Sequence, residues 1–305
     1  MAQRVHCQGK RQGELMTAFS HILVPVDFSD QCRGMLRYAK LIAERYGAEV
    51  TLLHVLSSPG AIPPADPASF KLLPAPPDVM AETNAQLATF GDYELRGVTV
   101  RRLVSVGDPV EQIAAFVRTE GVKLIAMPTH GLGVLRRVLI GSVTAKVLHD
   151  IPCPVLTGVH LEQPPHHLPL AFANITCAVD LDAHSQETLT WAAHFASDFH
   201  AQLNLVHAIP ALEPGLEIPF GGDWKSDLAN LARSDLEKLV AATGAEVSGI
   251  YVQAGEPRKA VCSFARSSGA DLLIIGRGSH EGIPANLPTE AYAIVRESPC
   301  PVISV

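Results

Sequence analysis

The stretch Ile22-Leu-Val-Pro-Val-Asp27 returns 153 residues later as Ile175-Thr-Cys-Ala-Val-Asp180. An apolar run closed by an aspartate reads as a buried strand entering a loop, and the landmarks around it repeat as well. His54-Val-Leu56 returns as His207-Ala-Ile209, again offset by 153. Gly107-Asp-Pro109 returns as Gly255-Glu-Pro257 and Leu124-Ile-Ala-Met127 as Leu272-Leu-Ile-Ile275, both offset by 148, and Pro152-Cys-Pro-Val155 returns as Pro299-Cys-Pro-Val302, offset by 147. Landmarks that keep one order with so little drift mark a duplicated domain. The expected division is a disordered leader over 1–17, a first copy over 18–159, a polar, proline-rich linker over 160–172 and a second copy over 173–305.

Each copy alternates short apolar strands with amphipathic helices, the pattern of an open parallel α/β sheet with helices on both faces. In the first copy, strands are expected at 22–26, 49–56, 98–104, 123–127 and 153–159. The helices between them are expected at 29–46, 78–95, 109–121 and 142–149. Asp108-Pro-Val-Glu111 is a helix start, with Asp as cap and Pro in the first helical position. Seven prolines between Pro59 and Pro77 forbid regular structure there, so this segment is expected to be an irregular flap over the site.

Apolar residues make up 47% of the chain, which excludes a disordered protein, and no apolar run approaches the roughly 18 residues that span a bilayer. Residues 161–305 carry eight basic against seventeen acidic side chains, which repels phosphodiester backbones and argues against a nucleic-acid binder. The six cysteines form no Cys-x-x-Cys pair and no apolar stretch precedes Ile22, so a reduced, cytoplasmic protein is expected.

In sheets of this kind ligands sit beyond the carboxyl ends of the strands, where the strand order reverses. Pro25-Val-Asp27, His54-Val55 and the loop from Met127 to Thr144 should meet there. That loop reads Pro128-Thr-His-Gly131, then nine residues, then Gly141-Ser-Val-Thr144 opening a helix. The unpaired N–H groups of a helix start bind anions, Ser142 and Thr144 would add hydroxyl donors, and Arg136, Arg137 and Lys146 would add positive charge. A polyphosphate suits such a site.

The ordered set Val-Pro-Val-Asp, His-Val, Gly-Asp-Pro, Thr-His-Gly, Gly-Ser-Val-Thr and Cys-Pro-Val resembles the universal stress protein family in its tandem two-domain form, over nearly all of residues 19–305. The resemblance implies two flavodoxin-like or Rossmann-like domains of strand order 3-2-1-4-5. It also implies a non-enzymatic stress-response or signalling module that binds ATP, with Mg as its companion ion, in the first copy. Pro25, Val26 and Asp27 would flank ribose and adenine, Val55 and Met127 would hold the base, and Gly131, Gly141, Ser142, Val143 and Thr144 would cradle the phosphates. Some members bind through Gly-x2-Gly-x9-Gly-Ser/Thr and others lack the motif. Here Pro128 replaces its first glycine and removes an N–H. The second copy, Gly276-Arg-Gly-Ser279 then Thr289-Glu290, sets a carboxylate at the phosphate position and reads as degenerate. Family domains pair through their fifth strands, so the two copies are expected to form an internal pseudo-dimer, with whole-chain homodimers as a further level.

Plainer readings stand beside these. Asp27 either contacts a ligand or satisfies backbone donors at the strand-to-helix turn, and Asp180 is assigned the second role. His54 and His207 read as packed, hydrogen-bonded residues, Cys153 and Cys300 as packing, and no histidine pair has a zinc spacing. Gly-x4-Gly-Lys-Ser/Thr, Gly-x-Gly-x-x-Gly after the first strand and Gly-x-Ser-x-Gly are all missing, which removes P-loop, dinucleotide and hydrolase readings. A stress-response interaction protein without nucleotide is the alternative function.

Overall fold

The computed structural model describes residues 19–57, 76–129, 140–158, 171–210, 224–277 and 289–305. The leader, the linker, most of the proline-rich segment, Gly131, Arg136 and Arg137 lie outside them. The described residues fall into two compact units, one running to Val155, where its last strand begins, and the other comprising 156–158 and 171–305.

In the first unit β1 (His21–Pro25), β2 (Glu49–Leu56), β3 (Val100–Val106), β4 (Leu124–Ala126) and β5 (Val155–Thr157) alternate with α1 (Asp30–Tyr46), α2 (Pro77–Thr89), α3 (Pro109–Glu120) and α4 (Ser142–Asp150). The strands lie in the order β3-β2-β1-β4-β5, with β1 parallel to both β2 and β4. This is the order 3-2-1-4-5, and the right-handed crossovers it requires put α1 and α2 on one face and α3 and α4 on the other. In keeping with this, α3 packs against α4. Central strands of such a sheet are covered on both faces and read as unbroken apolar runs. Ile22, Leu23, Val24, Leu124 and Ile125 are accordingly fully buried.

The second unit repeats the plan with β6 (Asn174–Ala178), β7 (Gln202–Ile209), β8 (Gly249–Ala254), β9 (Leu272–Ile275) and β10 (Val302–Ser304), and helices α5 (Ser185–Phe199), α6 (Trp224–Thr243), α7 (Pro257–Ser267) and α8 (Thr289–Glu297). Its order is β8-β7-β6-β9-β10, the same 3-2-1-4-5. No described helix is long and apolar enough to cross a membrane.

The helix starts obey local chemistry. Ser29 caps α1 by accepting from the Cys32 amide, and Asp108 caps α3 by accepting from the amides of Val110 and Glu111, with Pro109 first in the helix. Three expectations need correction. The helix expected to reach residue 95 ends at Thr89, because Phe90 turns into the core against Phe28, edge to face at 5.3 Å, and Gly91 adopts φ +77°. A side chain at Gly91 would be strained at that φ, and its Cβ would lie 2.5 Å from Leu36 Cδ1. The third strand begins at Val100 rather than 98, since the Val98 amide closes a turn onto the Leu95 carbonyl. The fifth strand is likewise shorter than expected at its start. The Cys153 amide is spent on Ile151, and Pro154 has no amide to give.

Candidate functional site

The strand order of the first unit reverses between β1 and β4, so the crevice beyond their carboxyl ends is the place for a ligand. Pro25 ends β1 level with Leu53 of β2, and the chain then turns at Asp27. The Val26 amide donates to the Leu53 carbonyl (2.9 Å), and the Val26 carbonyl accepts from His54 Nδ1 (2.8 Å). A carbonyl only accepts, so the His54 Nδ1 is the donor of this bond. The Asp27 carboxylate takes three donors on Oδ1: the Ser29 amide (3.0 Å), the Ser29 hydroxyl (2.6 Å) and the Cys32 thiol (2.9 Å). Of the two readings of Asp27, the turn-building one is thus realised in the structure. The ligand role remains a separate question, because the residue is only half-buried.

Phe28 follows in the left-handed region at φ +64°, a conformation that costs a non-glycine residue about 1–2 kcal/mol. Its ring lies on His54 at 4.6 Å. Nothing in the composition of the segment announces this strain. The second unit repeats it at Leu181, also φ +64°, with His207 Nδ1 on the Val179 carbonyl at 2.8 Å. Strained residues that recur at matched positions beside a ligand crevice mark a backbone held for a purpose.

The other side of the crevice is the start of α4. Gly141 is its N-cap, with extended backbone (φ −56°, ψ 144°) and no side chain to accept from the first turn. The amides of Ser142, Val143 and Thr144 therefore have no acceptor among the described residues. By contrast α1 and α3, whose starts lie at the same ends of the strands, are closed by their own caps. The loop ends are fastened by two bonds, Gly141 amide to Thr129 carbonyl (2.8 Å) and Thr144 hydroxyl to Pro128 carbonyl (3.0 Å). In this arrangement the one proton of the Thr144 hydroxyl closes the loop, and its side chain is buried. Ser142 and Lys146 are exposed, Val55 and Val143 half-buried, and Met127 only 5% exposed. The neighbours of Asp27 were the residues that sequence reasoning missed. An Asp-x-Ser pattern at a strand exit, which signals an Asx turn, would have found Ser29.

At the equivalent place in the second unit the ends of β6, β7 and β9 surround a cavity of about 240 Å³, lined by Asp180, Asp182, Arg277 and Glu290 over an apolar floor. Asp180 Oδ1 accepts from the Asp182 amide and the Ser185 hydroxyl, the turn role expected for it. Gly276 is needed here, since a Cβ would lie 2.6 Å from Thr188 Oγ1. The two copies thus depart from the sequence pattern at different points, the first at Pro128 and the second at Ser279, Thr289 and Glu290.

The model of the universal stress protein family matches residues 18–157 and again 171–305. The chain belongs to the universal stress protein family. Universal stress protein A homolog 1 of Coxiella burnetii is 28% identical over 138 residues, covering 44% of this chain and 96% of that protein. A universal stress protein of Methanocaldococcus jannaschii is 30% identical over 159 residues, covering 45% and 93%. The crystal structure of a universal stress protein from Archaeoglobus fulgidus superposes with a TM-score of 0.67 at 22% identity, over 95% of this chain and 97% of that one, and so shares the fold.

In this universal stress protein the described cysteines are packed in the interior. Cys32, Cys153, Cys177, Cys262 and Cys300 are buried and unpaired with one another. Burial pushes Cys177 from 9.0 up to about 12, and burial followed by the charge of Asp27 does the same for Cys32. The folded chain keeps these protons while an unfolded one releases them near pH 9. Their stabilising contribution is therefore complete below pH 9 and falls as the pH rises toward 12. Urea midpoints at pH 8 and 10.5 should show this loss, and Cys177→Ser should shrink it. A thiol reagent at pH 8 should modify none of the buried five until denaturant is added.

Proposed function

We propose that the first domain binds an adenine nucleotide, ATP with its Mg ion, and that the protein serves as a nucleotide-sensing module of the stress response rather than as an enzyme. The observation that carries this reading is the uncapped start of α4, whose three amides face the crevice end of the sheet while α1 and α3 are closed by their own caps. Ribose and adenine are assigned to Pro25, Val26, Asp27, Val55 and Met127, and the phosphates to Gly131, Gly141, Ser142 and Val143, with Thr144 fastening the loop end.

Pro128 tempers the phosphate side, since it offers no amide. Replacing it with glycine restores an N–H while the carbonyl that holds Thr144 stays in place. Pro128→Gly is expected to raise ATP affinity about tenfold, the worth of one charge-assisted hydrogen bond at the low end of its range, and adenosine affinity hardly at all. Calorimetry with both ligands measures it, and equal changes would break the assignment.

A second reading, an interaction protein without nucleotide, draws on the same Pro128 and on the engaged Thr144 hydroxyl. The two separate on one measurement: protein purified without added ligand, denatured and analysed by chromatography, should release adenine nucleotide.

A further inference from the structure

We propose that the cavity of the second domain is a site for an aliphatic diamine or polyamine, its methylene chain on the apolar floor and its ammonium groups at Asp180, Asp182 and Glu290. The three carboxylates stand on separate parts of the rim, two in the turn between β6 and α5 and one in the first turn of α8. Elsewhere in this domain Asp235, Glu237, Glu256 and Glu297 each pair with a lysine or arginine. Around the cavity they do not. Glu290 has no hydrogen bond or ion pair among the described residues, and Asp180 and Asp182 meet amides, the Ser185 hydroxyl and each other, with the His184 ring beside Asp182. Arg277 is the lining residue with opposite charge; it is 7% exposed and tied to the Ser304 carbonyl through its guanidinium and to Val305 through its amide.

Among the described lining residues, three carboxylates stand against one guanidinium and the two imidazoles of His184 and His207, an acidic balance that a cleft with apolar walls focuses. A phosphate would be repelled. A single metal ion does not fit either, because no three His, Cys, Asp or Glu side chains among the described residues converge to hold one. Charge that is spread around a rim over a floor of Val261, Ile275 and Ile294 suits a cation whose charges are spread along an apolar chain. The volume, about 240 Å³, equals roughly eight waters at about 30 Å³ each, which admits several methylenes with an ammonium at either end.

Calorimetry of the full chain with spermidine at about 0.15 M salt, without nucleotide, tests this independently of the first-domain reading. One saturable site is expected, weakened about fivefold or more by Glu290→Gln and by Asp182→Asn. Glu290→Gln removes no hydrogen bond, and Asp182→Asn keeps an acceptor for the His184 amide, so both variants should melt as the parent does. Glu246→Gln, an exposed carboxylate away from the cavity, should change nothing. Absence of a saturable site would overturn the proposal. Equal weakening by Glu246→Gln would reduce it to general charge attraction, and displacement of spermidine by Mg²⁺ at matched ionic strength would replace it with a metal site.

Discussion

Replacing Gly141 with Asp should lower the affinity of the first domain for ATP by more than 100-fold and leave the chain as stable as before. The backbone at Gly141, φ −56° and ψ 144°, is one that aspartate adopts freely at an N-cap. There its carboxylate would accept from the amides of Val143 and Thr144, the donors assigned to the phosphates. Two effects then act in the same direction. Donors worth about 1.5–3 kcal/mol to a charged ligand are occupied, and a negative charge about 4 Å from a phosphate adds repulsion of about 1–4 kcal/mol, depending on solvent access. Their lower bound sums to roughly 2.5 kcal/mol and their middle to well over 3, hence the 100-fold figure. The helix itself gains a cap worth a few tenths of a kcal/mol over glycine. Calorimetry reads the first effect and thermal melting the second. Unchanged affinity in a folded Gly141→Asp chain would move the nucleotide away from α4.

The repeat made most of this architecture legible. Strands of a doubly covered sheet must be continuous apolar runs, so Ile22–Val24 and Leu272–Ile275 declared themselves, and their common offsets declared the duplication. The start of α3 was equally readable, because Asp108 acts through bonds from amides two and three positions away. Features decided by distant contacts were not. The end of α2 depends on Phe90 finding Phe28, 62 positions earlier in the chain, and on a glycine whose missing Cβ spares Leu36. Thr144 looked like a phosphate donor because its position in the motif says nothing about the Pro128 carbonyl, sixteen residues back. The left-handed turns at Phe28 and Leu181 contradict local propensity outright and could be read only from the folded backbone. In the second copy the motif reads as degenerate, and the structure adds that a cavity lies at the equivalent strand ends.

Asp27→Ala should cost the first domain about 3 kcal/mol and Asp27→Asn about 1 kcal/mol, while both lose nucleotide affinity. All three donors on Oδ1 are buried: Ser29 is 4% exposed and Cys32 1%. Alanine leaves an amide, a hydroxyl and a thiol without their shared acceptor, and an orphaned buried donor costs about 1–3 kcal/mol. The Ser29 hydroxyl also caps α1 through the Cys32 amide, so disorder at the turn would fray the helix start. Asparagine keeps an oxygen in place and forfeits only the charge assistance of the bonds. The Asn variant therefore separates the two roles of this residue. Its fold should persist by denaturant titration, and its ATP affinity should still drop about tenfold if the carboxylate touches the ligand, as a charge-assisted hydrogen bond lost to a neutral one would require. An unchanged affinity in the folded Asn variant would confine Asp27 to building the turn. The thiol supplies an internal check, since the carboxylate and burial together hold Cys32 near 12. In Asp27→Ala, where the turn loosens, Cys32 should become the first cysteine of the described domain to react with a thiol reagent, whereas in Asp27→Asn, where burial is kept, it should stay silent.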